Sequence, residues 1–195
     1  MSNPPQLVVL AGPNGAGKST SAAALLETLG ITEFVNADTI ARGLSSANPE
    51  QVAISAGRIM LRRLKELADQ RADFAFETTL ASRSFAPWIS QLVQTGYNFQ
   101  LVFLWLSSAD QAVGRVAQRS KMGGHSVPEQ TVRRRYRAGL KNFVKTYRPL
   151  ATHWRMYDNS GLHKPRLVAV GAGSDTTDVL DSRVWNQIAS TFDER

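Results

Sequence analysis

The 195-residue chain contains no cysteine, so disulfides and thiolate-held metals are excluded. That composition suits a reducing compartment, and a cytoplasmic protein is the expectation. The opening residues, Met1-Ser-Asn-Pro-Pro5, lack a charged segment followed by an apolar one, the pattern of a secretory leader. No run approaches the roughly 20 apolar residues that a membrane span needs, so no membrane role is expected. Repeats and low-complexity tracts are missing, and no linker divides residues 1–195, so one domain is expected. Acidic residues are scarce in one stretch. Between positions 111 and 155 there are eleven Lys or Arg and a single acid, Glu129. That stretch carries +10 of a formal net charge of +7, which leaves the rest at −3. A local basic block points to an anionic partner.

Against these absences stands one dense motif. Gly12, Pro13, Asn14, Gly15, Ala16, Gly17, Lys18, Ser19 and Thr20 carry the spacing G-x-x-x-x-G-K-[ST] of a phosphate-binding loop. Glycine lets the backbone approach phosphates without a Cβ in the way. The exposed amides form an anion nest, reinforced by the N-terminus of the helix that follows. Lys18 reaches the β- and γ-phosphates, and the Ser19 hydroxyl suits Mg²⁺, with Thr20 behind it. An apolar run at 6–11 precedes the loop and a helix-forming run at 19–29, closed by Gly30, follows it. The implied ligand is ATP or GTP with Mg²⁺.

Strand-like runs alternate with amphipathic helices, which predicts a three-layer α/β/α phosphate-loop fold around a mainly parallel sheet. Strands are expected at 33–36, 72–76, 99–106, 154–157 and 166–170. Helices are expected at 39–43, 48–70, 85–95, from 109 onward, at 129–147 and at 184–192. On the 129–147 helix, Val132, Tyr136, Leu140, Phe143 and Tyr147 share one face, beside a row of Arg133, Arg137, Lys141 and Lys145.

Ligands of such sheets bind beyond the carboxyl ends of the strands. Asp38 follows the second strand and reads either as the base that accepts a hydroxyl proton or as a helix cap. Glu77-Thr78-Thr79 follows the third strand. Glu77 reads as a ligand of substrate hydroxyls or of water on Mg²⁺, or else as a salt-bridge partner of an Arg. The fourth strand ends in Leu106-Ser107-Ser108 without a carboxylate, so the usual metal-binding Asp is missing there. Arg115 and Arg119 sit one turn apart before a Gly-Gly break, which suits a basic lid over about 115–135 that closes on the phosphates, or a solvated face. His125 lies in that break, Arg133, Arg134, Arg135 and Arg137 follow it, and Arg83 is placed to contact substrate.

Residues 12–20, Asn36-Ala-Asp-Thr-Ile40, Phe76-Glu-Thr-Thr-Leu80 and the 115–136 segment, with Gly-Gly-His-Ser-Val-Pro-Glu and Arg-Arg-Arg-Tyr, together resemble the zeta toxin family of phosphate-loop kinases. The resemblance implies ATP- or GTP-dependent phosphorylation of a small-molecule hydroxyl, which in characterised members belongs to a UDP-activated amino sugar. It also implies that Lys18 binds phosphate, Asp38 is the base, Glu77 binds substrate and lid arginines hold the phosphates. A toxin of this kind needs an acidic antitoxin that blocks the nucleotide pocket. Two departures stand out: His125 lies near where the family toxins place a second lid arginine, and the residues after Glu77 lack the toxins' Glu-Gly-Thr-Gly pattern. Two other readings of the same features are an enzyme acting on nucleic-acid ends, tracked by the Arg133–Lys145 row, and a nucleotide-binding regulatory module.

Overall fold

The computed structural model describes residues 3–45, 51–123, 126–161 and 164–193. The chain runs through β1 (Gln6–Ala11), α1 (Lys18–Leu29), β2 (Glu33–Val35), α2 (Ala37–Leu44), α3 (Ala53–Asp69) and β3 (Phe74–Thr78). It continues with α4 (Ala86–Gln94), β4 (Asn98–Trp105), α5 (Ala109–Lys121) and α6 (Glu129–Asn142). The last elements are β5 (His153–Asp158), β6 (Arg166–Ala172), β7 (Asp175–Val179) and α7 (Ser182–Asp193).

One sheet forms in the order β2-β3-β1-β4-β5-β6-β7. The first five of these strands run parallel, and β6 and β7 are antiparallel additions. The alternation of side chains along β1 divides the core. Leu7, Val9 and Ala11 belong to the layer that holds Met60 and Leu64 of α3, Ile89 of α4 and Ile188 of α7. Val8 and Leu10 face the layer that holds Ala22 and Leu26 of α1 with Ala112 and Val116 of α5. This is the three-layer α/β/α arrangement expected of a phosphate-loop protein. Among the described residues no helix is long and apolar enough to cross a membrane.

The parallel topology sends β1 and β3 side by side, with Leu10 level with Glu77 and Ala11 level with Thr78. Both strands therefore discharge their polar tips at the same edge. Helix α6 crosses that edge. Its Val132 packs in the α1/α5 layer and its Leu140 in the opposite one. On the way, Tyr136 donates to the Leu106 carbonyl at the tip of β4, at 2.7 Å. Gly139 then lies against the Thr79 carbonyl so closely that a Cβ would collide with it.

Several elements differ from the sequence expectation. The helix predicted over 129–147 stays α-helical only to Asn142, and Phe143–Tyr147 form a π-helical turn. The wide turn buries both Phe143 and Tyr147. Pro149 then prevents a return to α-helix, since its ring excludes the carbonyl four residues earlier. Strand β7 was not expected: Asp175-Thr-Thr-Asp-Val179 is exposed throughout and shows no apolar alternation. It forms because a Gly173-Ser174 turn folds the chain back onto β6. The helix expected from position 48 is described from Ala53, and Asn48 and Pro49 lie outside the described residues.

The crossing of α6 over the β3 tip gives opposite signs for two substitutions that look alike. Gly139→Ala should destabilise the protein by about 1–3 kcal/mol through overpacking. Gly114 on α5 has open space around it, so Gly114→Ala should stabilise by about 0.5–1 kcal/mol through helix propensity alone. Urea-denaturation midpoints of the two variants check this, and stabilisation by both would contradict the contact.

Candidate active site

The phosphate loop bridges β1 and α1 with the backbone its glycines allow. Gly12 has φ 140°, and a Cβ there would collide with the Leu104 carbonyl of β4. Gly17 has φ 81°, and a Cβ there would stand 2.7 Å from Asn159 Nδ2. Pro13 and Ala16 are buried, Asn14 and Gly15 are partly exposed, and Ser19 and Thr20 are exposed on the first turn of α1. Lys18 is 6% exposed. Its Nζ donates to the carbonyls of Gly12 at 2.9 Å and Pro13 at 3.0 Å. Burial lowers its pKa below the ordinary lysine value, while the charges of Glu77 and Asp38 act in the opposite direction and Arg119 adds to the lowering.

Glu77 is where the chain's polar groups converge. Its Oε1 lies 3.6 Å from Lys18 Nζ. Its Oε2 accepts from Ser19 Oγ at 2.7 Å and from Asn36 Nδ2 at 2.7 Å. The carboxylate is 13% exposed, so these donors replace much of its water. Among the described residues its ion-pair partner is Lys18, not an arginine. The missing carboxylate at the β4 tip is matched by this one at the tip of β3, the strand on the other side of β1.

Asn36, and not Asp38, caps α2. Its Oδ1 accepts from the amides of Asp38 at 2.8 Å and Thr39 at 3.2 Å, and its amide group reaches Glu77. Asp38 stands in the first turn of α2. It is exposed, and among the described residues its carboxylate accepts no hydrogen bond and forms no ion pair. It lies near enough for its charge to act on Lys18.

The arginines divide. Arg115 reaches from α5 to the carbonyls of Gly15 at 3.5 Å, Ser160 at 3.2 Å and Gly161 at 3.1 Å. It thus ties the phosphate loop to the loop after β5. Arg119, one turn on, is the arginine whose charge Lys18 feels. Arg83 is exposed and its Nε donates to Asn142 Oδ1 at 3.2 Å. Thr78 Oγ1 accepts from the Leu80 amide at 3.1 Å. Arg137 is exposed on α6, and His125 lies outside the described residues.

Three asparagines and one aspartate that the sequence reading gave no site role hold this geometry. Besides Asn36, Asn159 Nδ2 donates to the Ala16 carbonyl at 2.8 Å and fixes the loop. Asn142, buried, donates to the Leu80 carbonyl at 2.7 Å and fixes the turn after Glu77. Asp158 at the β5 tip accepts from the Ser160 amide at 2.8 Å and from Arg166 at 2.9 Å. Burial alone would raise its pKa, but these bonds hold it below the ordinary value. The only sequence signal for Asn36 and Asp158 was their place at a strand end before a turn or helix. Asn142 and Asn159 work across long sequence separations and gave none.

Comparison with known proteins bears on the family and the fold. An uncharacterized protein of Haemophilus influenzae is 28% identical over 125 residues, which span 64% of this chain and 88% of that one. The AvrRxo1-ORF1:-ORF2 complex with ATP superposes with TM-score 0.74 at 20% identity, covering 96% of this chain and 64% of that chain. The chain thus spans under two thirds of the AvrRxo1 chain it matches. The PezAT chromosomal toxin-antitoxin system of Streptococcus pneumoniae superposes with TM-score 0.64 at 13% identity, covering 98% of this chain and 85% of that one. At these identities the superpositions establish the fold. The model of the AAA domain family (AAA_33) matches residues 7–143, from β1 through α6 to the start of the π-helical turn, and the chain belongs to that family.

Proposed function

We propose that the protein is a kinase that transfers the γ-phosphoryl group of ATP or GTP to a hydroxyl of a small molecule. The carrying observation is the convergence of Lys18, Ser19 and Asn36 on the Glu77 carboxylate, with the Asp38 carboxylate, which has no partner among the described residues, near enough to act on Lys18. Phosphorylation of a hydroxyl needs a carboxylate able to accept the acceptor's proton, and Asp38 has no side-chain partner among the described residues.

In this reading the α1 N-terminus and the amides of residues 12–18 hold the triphosphate. Lys18 leaves its carbonyl partners and turns to the β- and γ-phosphates, and Arg119 adds positive charge nearby. The oxygen donors Ser19 Oγ and Glu77 fit Mg²⁺, a hard cation that binds through few protein groups and keeps water. When bound with the nucleotide, the ion would neutralise charge building on the phosphates. Asp38 orients the acceptor hydroxyl and takes its proton as the acceptor oxygen bonds to the γ-phosphorus and the bond to the β-phosphate oxygen breaks. Arg115, engaged with three carbonyls, positions the loop and does not join the transfer. An acidic antitoxin-like protein that masks the phosphate loop is part of the same reading. It is supported by the basic 111–155 stretch and by the likeness to PezAT.

The test is transfer of label from γ-labelled ATP into the small-molecule fraction of a cell extract. Wild type should give an acid-stable labelled product. Asp38→Asn should lose about 10²–10⁴-fold of that transfer with AMPPNP affinity nearly unchanged. Release of inorganic phosphate alone, or full transfer by Asp38→Asn, would overturn the reading.

The buried lysine gives a pH signature. Because burial lowers the Lys18 pKa and phosphates would raise it again, nucleotide binding should take up a proton between the two values. Affinity should therefore fall as pH rises through the free protein's Lys18 pKa. Calorimetry in buffers of different ionisation enthalpy reads the uptake directly, and Lys18→Met should abolish it.

A further inference from the structure

Helix α2 carries Asp38 in its first turn and is only 8 residues long. A helix that short is marginal by itself, so the geometry of its first turn depends on its packing and its cap. The packing comes from Ala41, which is buried, and from Ala37 and Ile40, which are partly buried against the core. The cap is Asn36. Its backbone is extended, at φ −134° and ψ 121°, and its carbonyl accepts the first helical bond, from the Ile40 amide at 3.1 Å. Its side-chain Oδ1 accepts from the amides of Asp38 at 2.8 Å and Thr39 at 3.2 Å. One of those two amides belongs to Asp38 itself.

The other half of the same side chain is committed to a different element. Val35 is level with Phe76 in the sheet, so Asn36 stands one step further along, beside Glu77. Its Nδ2 donates to Glu77 Oε2 at 2.7 Å, and the residue is only 7% exposed. These partners fix which way the amide points. Turned over, it would set oxygen against a carboxylate and NH₂ against two N–H groups. Other capping residues meet only part of the demand. Aspartate caps equally well but places a second carboxylate against Glu77, where like charges oppose each other. Serine caps through one oxygen, which stands where asparagine has its Cγ and is too short to serve Glu77 as well. A neutral planar amide accepts on one side and donates on the other.

Filling the donor site changes what surrounds Glu77. In the proposed reaction Lys18 turns to the phosphates and Ser19 to the metal ion, which removes two of the three partners of the carboxylate. The Asn36 bond depends on neither group and stays. We infer that Asn36 is a positioning residue whose single amide holds Asp38 in register with Glu77, so that the base stays aligned with the phosphoryl group once nucleotide is loaded. The inference rests on the kinase reading and adds to it the group that sets the base. A reacting group misplaced by about 1 Å costs on the order of 10²-fold in rate.

The experiment compares wild type, Asn36→Ser, Asn36→Asp, Asp38→Asn and the double variant Asn36→Ser, Asp38→Asn. Three quantities are read: label transfer from γ-labelled ATP into the small-molecule fraction of a cell extract, AMPPNP affinity with Mg²⁺, and melting temperature, with assays run below the melting point of every variant. Serine and aspartate both cap, so both single variants at position 36 should melt close to wild type. Both should lose about 10²-fold of transfer, with AMPPNP affinity nearly unchanged in Asn36→Ser. Because Asn36 acts through Asp38, the double variant should transfer no more slowly than Asp38→Asn alone. A residue that only supported the fold would give losses that multiply. Multiplying losses, wild-type transfer by Asn36→Ser or by Asn36→Asp, or an AMPPNP affinity that falls in step with transfer in Asn36→Ser would each overturn the inference. Wild type that binds AMPPNP yet transfers no label overturns the kinase reading instead, and full transfer by Asp38→Asn removes the base that Asn36 serves.

Discussion

A single carboxylate organises the polar end of this sheet. Glu77 receives Lys18 and Ser19 from the start of α1 and Asn36 from the cap of α2. Lys18 and Asn36 are buried and would be costly to leave unpaired, and the carboxylate compensates both. The arrangement depends on topology: only because β3 lies parallel beside β1 does the β3 tip face the phosphate loop. Asn36 extends the link to β2, since the side chain that caps α2 also reaches Glu77. Asp38 is placed by that cap in the first turn of α2, and its carboxylate has no partner among the described residues.

The second organising element is α6. It crosses the tips of β4 and β3, anchored by Tyr136 on Leu106 and by Gly139 on Thr79. The π-helical turn that follows brings Tyr147 to the Ser82 carbonyl. On the other flank, Arg115 and Asn159 tie the loop after β5 to the phosphate loop. The site is thus fastened on both sides, and the segment expected to be a lid has Val116 at one end and Val132 at the other, both buried in the core.

How legible this was depended on the range of the interactions. The phosphate loop and its flanking strand and helix are local: glycine spacing, an apolar run and a Gly30 cap state them within 25 residues of sequence. The parallel core strands were legible because both their faces are apolar. Glu77 was visible as a carboxylate after an apolar strand, but its partner was not, since Lys18 lies across the sheet. Asp38 was read as the base or as the cap of α2, because Asn and Asp both cap and only geometry shows that Asn36 does. β7 and the π-helical turn were hidden for opposite reasons. The first has no apolar pattern, and the second keeps one that reads as a continuous helix. The contact of Arg83 with Asn142 was not legible because the two are distant in sequence.

If Glu77 organises both the loop and the metal, magnesium should act through it. The most direct measurement is the affinity for AMPPNP with and without Mg²⁺ in wild type and in Glu77→Gln. Mg²⁺ should tighten binding to wild type by about tenfold or more, and Glu77→Gln should abolish that gain while leaving metal-free binding equal or tighter. The same magnesium gain in Glu77→Gln, with metal-free binding weakened, would make Glu77 only a structural partner of Lys18 and contradict its assignment.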